Sequence, residues 1–122
     1  MKNVMCKQTG LVRELQEISM YKSILEQILE NAYEGVVVTD ATGKIIMLNN
    51  AYANYLGIDA QAAIGKHVTE VIDNTRVHTV VQSGVPEFGK LQRIGSHKAV
   101  VTRLPILFNQ EIVAGVGIVH YR

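Results

Sequence analysis

Arg76 and His78 flank an apolar stripe. On a helix over residues 75–82, Val77, Val80 and Val81 gather on one side, with Arg76 and His78 roughly 100° to either side of its centre. A guanidinium at such a boundary can take a carboxylate through two parallel hydrogen bonds. Arg103 is a second cation in an apolar setting, on a strand between Val101 and Pro105, with Val100, Thr102, Leu104 and Ile106 on the opposite face. Spacing alone does not say which face looks inward. An unpaired buried guanidinium is very costly, so Arg103 is expected to point outward; pointing inward, it would need an anionic partner or ligand.

Catalytic constellations are harder to find. Ser19 and Ser23 fall in a long helix, Ser83 at a helix end and Ser96 in a turn, none of them within a nucleophile-elbow sequence. His67 with Glu70, or His78 with Asp73, could be drawn as acid–base pairs or metal ligands. No H-E-x-x-H or comparable multidentate spacing supports either, and coincidence explains them better. The one cysteine, Cys6, leaves no intrachain disulfide or multi-cysteine metal site and fits a reducing cytosol. Neither an enzyme nor a metal site is expected.

The elements that must position these residues fit one domain. The chain has 122 residues, enough for one ordinary core, and its 12 Lys+Arg nearly cancel its 11 Asp+Glu, which excludes a strongly basic nucleic-acid module or a charged disordered tail. Apolar runs such as Val36–Val38 are far short of a membrane span, and the first residues lack the apolar stretch of a signal peptide, so a cytoplasmic location is expected. Charge is uneven. Residues 88–122 carry five basic and one acidic residue, a net +4 that could attract an anionic ligand or simply solvate an outer sheet face.

Residues 11–32 contain no Gly or Pro. Leu11, Leu15, Ile18, Leu25, Leu29 and Ala32 recur at spacings of four and three when Lys22 takes the one polar seam position, a heptad stripe expected to pair with a second copy of the chain. A second apolar set, Tyr21, Ile24 and Ile28, is expected to rest on the domain body. Residues 1–31 thus read as a linker and dimerisation helix, and residues 32–122 as the folded domain.

Within that domain, Val36–Thr39 and Lys44–Asn49 read as a hairpin around Asp40-Ala41-Thr42-Gly43. Short helices follow: Ala51–Leu56 after Asn49-Asn50, Ala60–Ile64 capped by Asp59, His67–Ile72, and Thr75–Gln82 capped by Asp73 or Asn74. Phe88–Ile94, His97–Leu107 and Glu111–Tyr121 then form an antiparallel meander. In its last strand, Gly115 and Gly117 share a face that lets a ligand or a helix approach closely. The order gives an α+β fold, a five-stranded antiparallel sheet with short helices on one face and a long N-terminal helix, enclosing a hollow.

Over residues 32–122 this order resembles a PAS domain. The resemblance is carried by residues 28–40 (Ile-Leu-Glu-Asn-Ala-Tyr-Glu-Gly-Val-Val-Val-Thr-Asp), by residues 43–52 (Gly-Lys-Ile-Ile-Met-Leu-Asn-Asn-Ala-Tyr), by Leu56-Gly57 and by Ile64-Gly65-Lys66. Within that superfamily, Asp73-Asn74-Thr75-Arg76-Val77-His78, together with Gln92–Gly95 and Arg103–Ile106, looks like the sensory domain that precedes the ATPase of sigma-54-dependent, NtrC-like transcriptional activators. The resemblance implies that the helix over 75–82 borders a ligand cavity, which makes Asn74, Arg76, His78 and Arg103 the candidate ligand-binding residues. It also admits haem held through His78, although no cofactor is the main expectation. Flavin photochemistry is excluded because Cys6 lies far upstream of the pocket. The function implied is a non-catalytic sensor that binds a small ligand or partner and relays the signal through a homodimer. Its ATPase and DNA-binding domains are expected elsewhere in the full-length protein, with no direct nucleic-acid contact by this domain and no membrane. A ligand-free dimerisation module is the alternative.

Overall fold

The computed structural model describes residues 2–120, with side chains from residue 10 onward, so the side chain of Cys6 lies outside the described residues. Contacts group the chain into two units, Met1–Asn31 and Ala32–Arg122. The first is one helix, α1 (Lys2–Glu30). It begins nine residues before the apolar stripe, continuing through Gly10, and ends before Ala32, which lies outside it. Along it Leu11, Leu15, Ile18 and Leu25 are exposed, as are Tyr21, Ile24 and Ile28 of the second apolar set. Lys22 Nζ lies 3.9 Å from Glu26 Oε1, a solvated i, i+4 pair. No helix among the described residues is long and apolar enough to cross a membrane.

The second unit runs β1 (Gly35–Asp40), β2 (Ile45–Leu48), α2 (Asn50–Leu56), α3 (Ala60–Ala63), α4 (Val68–Val71), α5 (Val77–Ser83), β3 (Glu87–Ile94), β4 (His97–Phe108) and β5 (Glu111–His120). All neighbours in the sheet are antiparallel, in the order β2-β1-β5-β4-β3. Local chemistry explains most boundaries. Asp40 Oδ1 accepts from the backbone N–H of Thr42 (2.9 Å) and of Lys44 (3.0 Å) and from Thr42 Oγ1 (2.7 Å), closing the first turn. Gly57 and Gly84 end α2 and α5 in the left-handed conformation that only glycine adopts without strain.

Asn49 joins sheet to helices. Fully buried, it caps α2 by accepting from Tyr52 N–H (3.1 Å), accepts from Val36 N–H (2.9 Å) and donates to the Glu34 carbonyl (2.9 Å). Every polar atom of this side chain is therefore used, as burial demands. The cap expected for α5 is different: neither Asp73 nor Asn74 provides it. Asn74 adopts φ 59°, and the N-cap position falls to Arg76, whose side chain makes no capping bond. The Asn74 amide instead donates to the Arg93 carbonyl at 2.8 Å, tying the α4–α5 loop to β3.

The close approach expected at Gly115 and Gly117 is made by a helix. A Cβ on Gly115 would lie 2.5 Å from Val81 Cγ2 and 2.9 Å from Val77 Cγ1, and one on Gly117 would lie 3.0 Å from Val77 Cγ2. The apolar stripe of α5 thus fills the space above β5, and Val77, Val80 and Val81 are buried there. Gly115→Ala should therefore force α5 off the sheet. We expect a loss of about 1–3 kcal/mol in urea unfolding; an unchanged midpoint would mean that α5 does not sit on this strand.

Candidate functional site

Arg103 departs most clearly from the sequence expectation. It points inward, sharing a face of β4 with Ala99 and Val101, and is 3% exposed. The cost of burying a guanidinium is offset by the partners it finds. Nη1 donates to Glu87 Oε1 at 2.7 Å and Nη2 to Gln92 Oε1 at 2.6 Å. Gln92, itself buried, passes the chain of bonds on, its Nε2 donating to the Asp73 carbonyl at 2.8 Å. Nε of Arg103 is buried without a hydrogen-bond partner.

Glu87 links the two arginines. Its carboxylate takes a fork from exposed Arg76, with Nε at 3.1 Å and Nη2 at 3.0 Å from Oε2, while Oε1 accepts from Arg103. The hydrogen bond from Arg76, aided by that from Arg103, holds the Glu87 carboxyl below its ordinary value against the opposing effect of burial. Backbone geometry makes the meeting possible. Glu87 lies directly across from Arg103 and Lys90 across from Val101, so Phe88 and Gly89 form a bulge, with Gly89 at φ 61°. Gln92 and Ile94 face inward on β3; strict alternation would turn Glu87 outward, and the extra residue restores it to the inner face.

A cleft of about 570 Å³ opens along this rim. Asn74, Arg76 and Arg103 all line it, so three of the four candidate residues are brought together. Glu87 and Lys90 join them without having been singled out from the sequence, as does Gln92, which the sequence marked only as part of a motif. Four cations, Arg76, Lys90, Arg93 and Arg103, face one carboxylate there, a net +3 among the lining side chains.

His78 does not line this cleft. Its ring meets that of His67 edge-on with centroids 5.5 Å apart, and its Nδ1 is buried without a partner. Burial pushes the His78 imidazole below the ordinary histidine value, and the nearby His67 and Arg76 add to the effect. His67 caps α4 by accepting from Thr69 N–H. Between α5 and β5, Val77 and Val81 already fill the space over Gly115 and Gly117, so a haem macrocycle does not fit there. No group of three or more His, Cys, Asp or Glu side chains placed to hold a metal ion occurs among the described residues.

A sequence profile of the PAS fold matches residues 23–120. The sensor protein CitS of Halalkalibacterium halodurans is 35% identical over 113 residues, 91% of this chain and 21% of that protein. A probable C4-dicarboxylate sensor kinase of the same organism is 30% identical over 86 residues, 70% of this chain and 16% of that protein. The chain therefore spans about a fifth of the curated relatives it matches. Among solved structures, the Escherichia coli DhaR(N)–DhaL complex aligns with a TM-score of 0.78 at 23% identity, over 92% of this chain and 39% of that one. A PAS domain of an HTR-like protein from Haloarcula marismortui aligns with a TM-score of 0.61 at 20% identity, over 88% and 97% of the two chains.

Two measurements check this geometry. Glu87→Ala leaves a buried cation without its anionic partner and should cost about 3 kcal/mol or more, whereas an outward, solvated Arg103 would show almost no loss. The sign for His78 follows from its lowered folded-state value. The unfolded chain binds the proton more tightly, so stability is fully present above about 6.5, the ordinary histidine value, and is lost as pH falls through the lower folded value. Urea midpoints measured from pH 7.5 to 5 should fall in the natural protein and fall less in His78→Gln; equal slopes would contradict the assignment.

Proposed function

The chain belongs to the PAS fold family, and on that premise we propose that it is the non-catalytic sensory module of a longer signalling protein. It takes a small ligand or partner at the Arg76–Arg103 cleft and passes the change to a second copy through α1. The observation that carries this reading is the gathering of Asn74, Arg76 and Arg103 around one cationic cleft bordered by the start of α5. The helix supplies a means of relay. Leu11, Leu15, Ile18 and Leu25 leave an exposed apolar seam that a second copy can cover, with Leu29 continuing the register. Lys22 weakens that seam at one position, which brings two helix registers closer in energy and gives a bound ligand a small gap to bias.

For the effector, the motifs at residues 73–78, 92–95 and 103–106 support a sigma-54-dependent transcriptional activator, with its ATPase and DNA-binding domains outside residues 1–122. A second reading, a sensor kinase input, is favoured by 30% identity to a protein named as a probable sensor kinase. The full-length protein separates them: phosphate transfer from ATP to a histidine identifies the kinase, and ATP hydrolysis with sigma-54-dependent transcription identifies the activator.

Sedimentation equilibrium tests the relay itself. The natural chain should be dimeric, Leu15→Glu and Leu25→Glu should shift it to monomer by at least tenfold in dissociation constant, and off-seam Met20→Glu should not. A monomer throughout would remove the helix from the mechanism.

A further inference from the structure

The Arg76–Arg103 cleft already holds a carboxylate, and it belongs to the protein. We propose that Glu87 is a tethered occupant of an anion site, and that a small di- or tricarboxylate binds by displacing it. The inference rests on the sensory reading and names the ligand class of the same cleft.

Three features carry it. The first is charge: one carboxylate among four cations leaves the lining at net +3, so Glu87 neutralises only part of the site and an oligoanion would complete it. The second is the unfinished pairing of Arg103. A guanidinium has five N–H donors in a fixed fork; at 3% exposure this one spends Nη1 on Glu87 and Nη2 on Gln92, while its Nε–H has no acceptor. Leaving a buried donor unpaired is costly, so the pairing of Arg103 is incomplete as it stands.

The third is the mounting of Glu87. It follows Gly84-Val85-Pro86 and precedes the bulge at Phe88 and Gly89, so its ladder pairing with Arg103 is separated from the regular β3–β4 pairing that begins at Lys90. Gln92 is held differently, by a bond from its own amide to the Asp73 carbonyl. Glu87 can therefore leave while Gln92 stays as the second partner of Arg103.

Glu87 also shows which anion geometry fits. Arg76 meets its carboxylate with a planar fork, Nε and Nη2 on one oxygen and Nε at 3.3 Å from the other. One carboxylate of a ligand would take that place between Arg76 and Arg103, and a second would lie among Lys90 and Arg93, which line the same cleft. A carboxylate can therefore replace that of Glu87 without moving Arg76. Release of Glu87 would free the start of β3, so occupancy and strand position are linked in a single exchange.

Isothermal titration calorimetry of the 122-residue chain with succinate, citrate and inorganic phosphate, at ionic strength fixed with chloride, tests the exchange. Glu87→Gln removes the competing charge but keeps an oxygen for Arg103, and should bind citrate about tenfold more tightly than the natural chain. Arg76→Gln, on the exposed side of the cleft, should bind it about tenfold more weakly. Phosphate should bind more weakly than either carboxylate. Citrate affinity unchanged by both substitutions, no succinate or citrate binding to Glu87→Gln, or phosphate binding as tight as citrate would each overturn the site. None of those results touches the helix-dependent association measured by sedimentation, so a failure of the carboxylate site is distinguishable from a failure of the sensory reading.

Discussion

A positive charge almost wholly out of water is the constraint from which the rest of the rim follows. Arg103 cannot lose its proton, so the fold must bring acceptors to it. Those acceptors come from two positions on the neighbouring strand. Glu87 and Gln92 reach the guanidinium, Gln92 reaches back to the Asp73 carbonyl, and Glu87 reaches out to Arg76. One chain of bonds thus connects β4, β3, the α4–α5 loop and the start of α5. The rim is positioned by this polar network, the centre of the domain by the valines of α5 seated on Gly115 and Gly117.

That division of labour suits a sensor. Apolar packing beneath α5 is tight, since a methyl group added at Gly115 would collide with Val81 and Val77. Charged partners at the rim can be exchanged for others of like chemistry. On the proposed reading, the cationic cleft is the part of the domain that responds to a solute while the core stays fixed.

Much of the fold was legible because its signals are local. Asn49, Asp59, Gly57 and Gly84 mark helix ends through their own backbone chemistry, and Asn109 and Gln110, both at positive φ, close the last hairpin where the sequence placed a turn. The glycine pair in β5 announced a close approach without saying what would make it. Asp73 and Asn74 misled as caps because Asn74 is drawn away by the Arg93 carbonyl, nineteen residues on, a partner that no local pattern reveals.

The site was half legible for a related reason. Asn74, Arg76 and Arg103 stood out by type and placement, but the direction of Arg103 depends on Glu87, and strict alternation along β3 turns Glu87 outward. A single-residue bulge reverses that parity, and a bulge is a property of two paired strands. The most direct measurement is therefore of the guanidinium itself. Nitrogen–proton correlation NMR should show the Arg103 Nε–H as a distinct signal, protected from solvent exchange and shifting as succinate is added. A signal that exchanges as fast as a surface arginine and ignores succinate would contradict the account at its root.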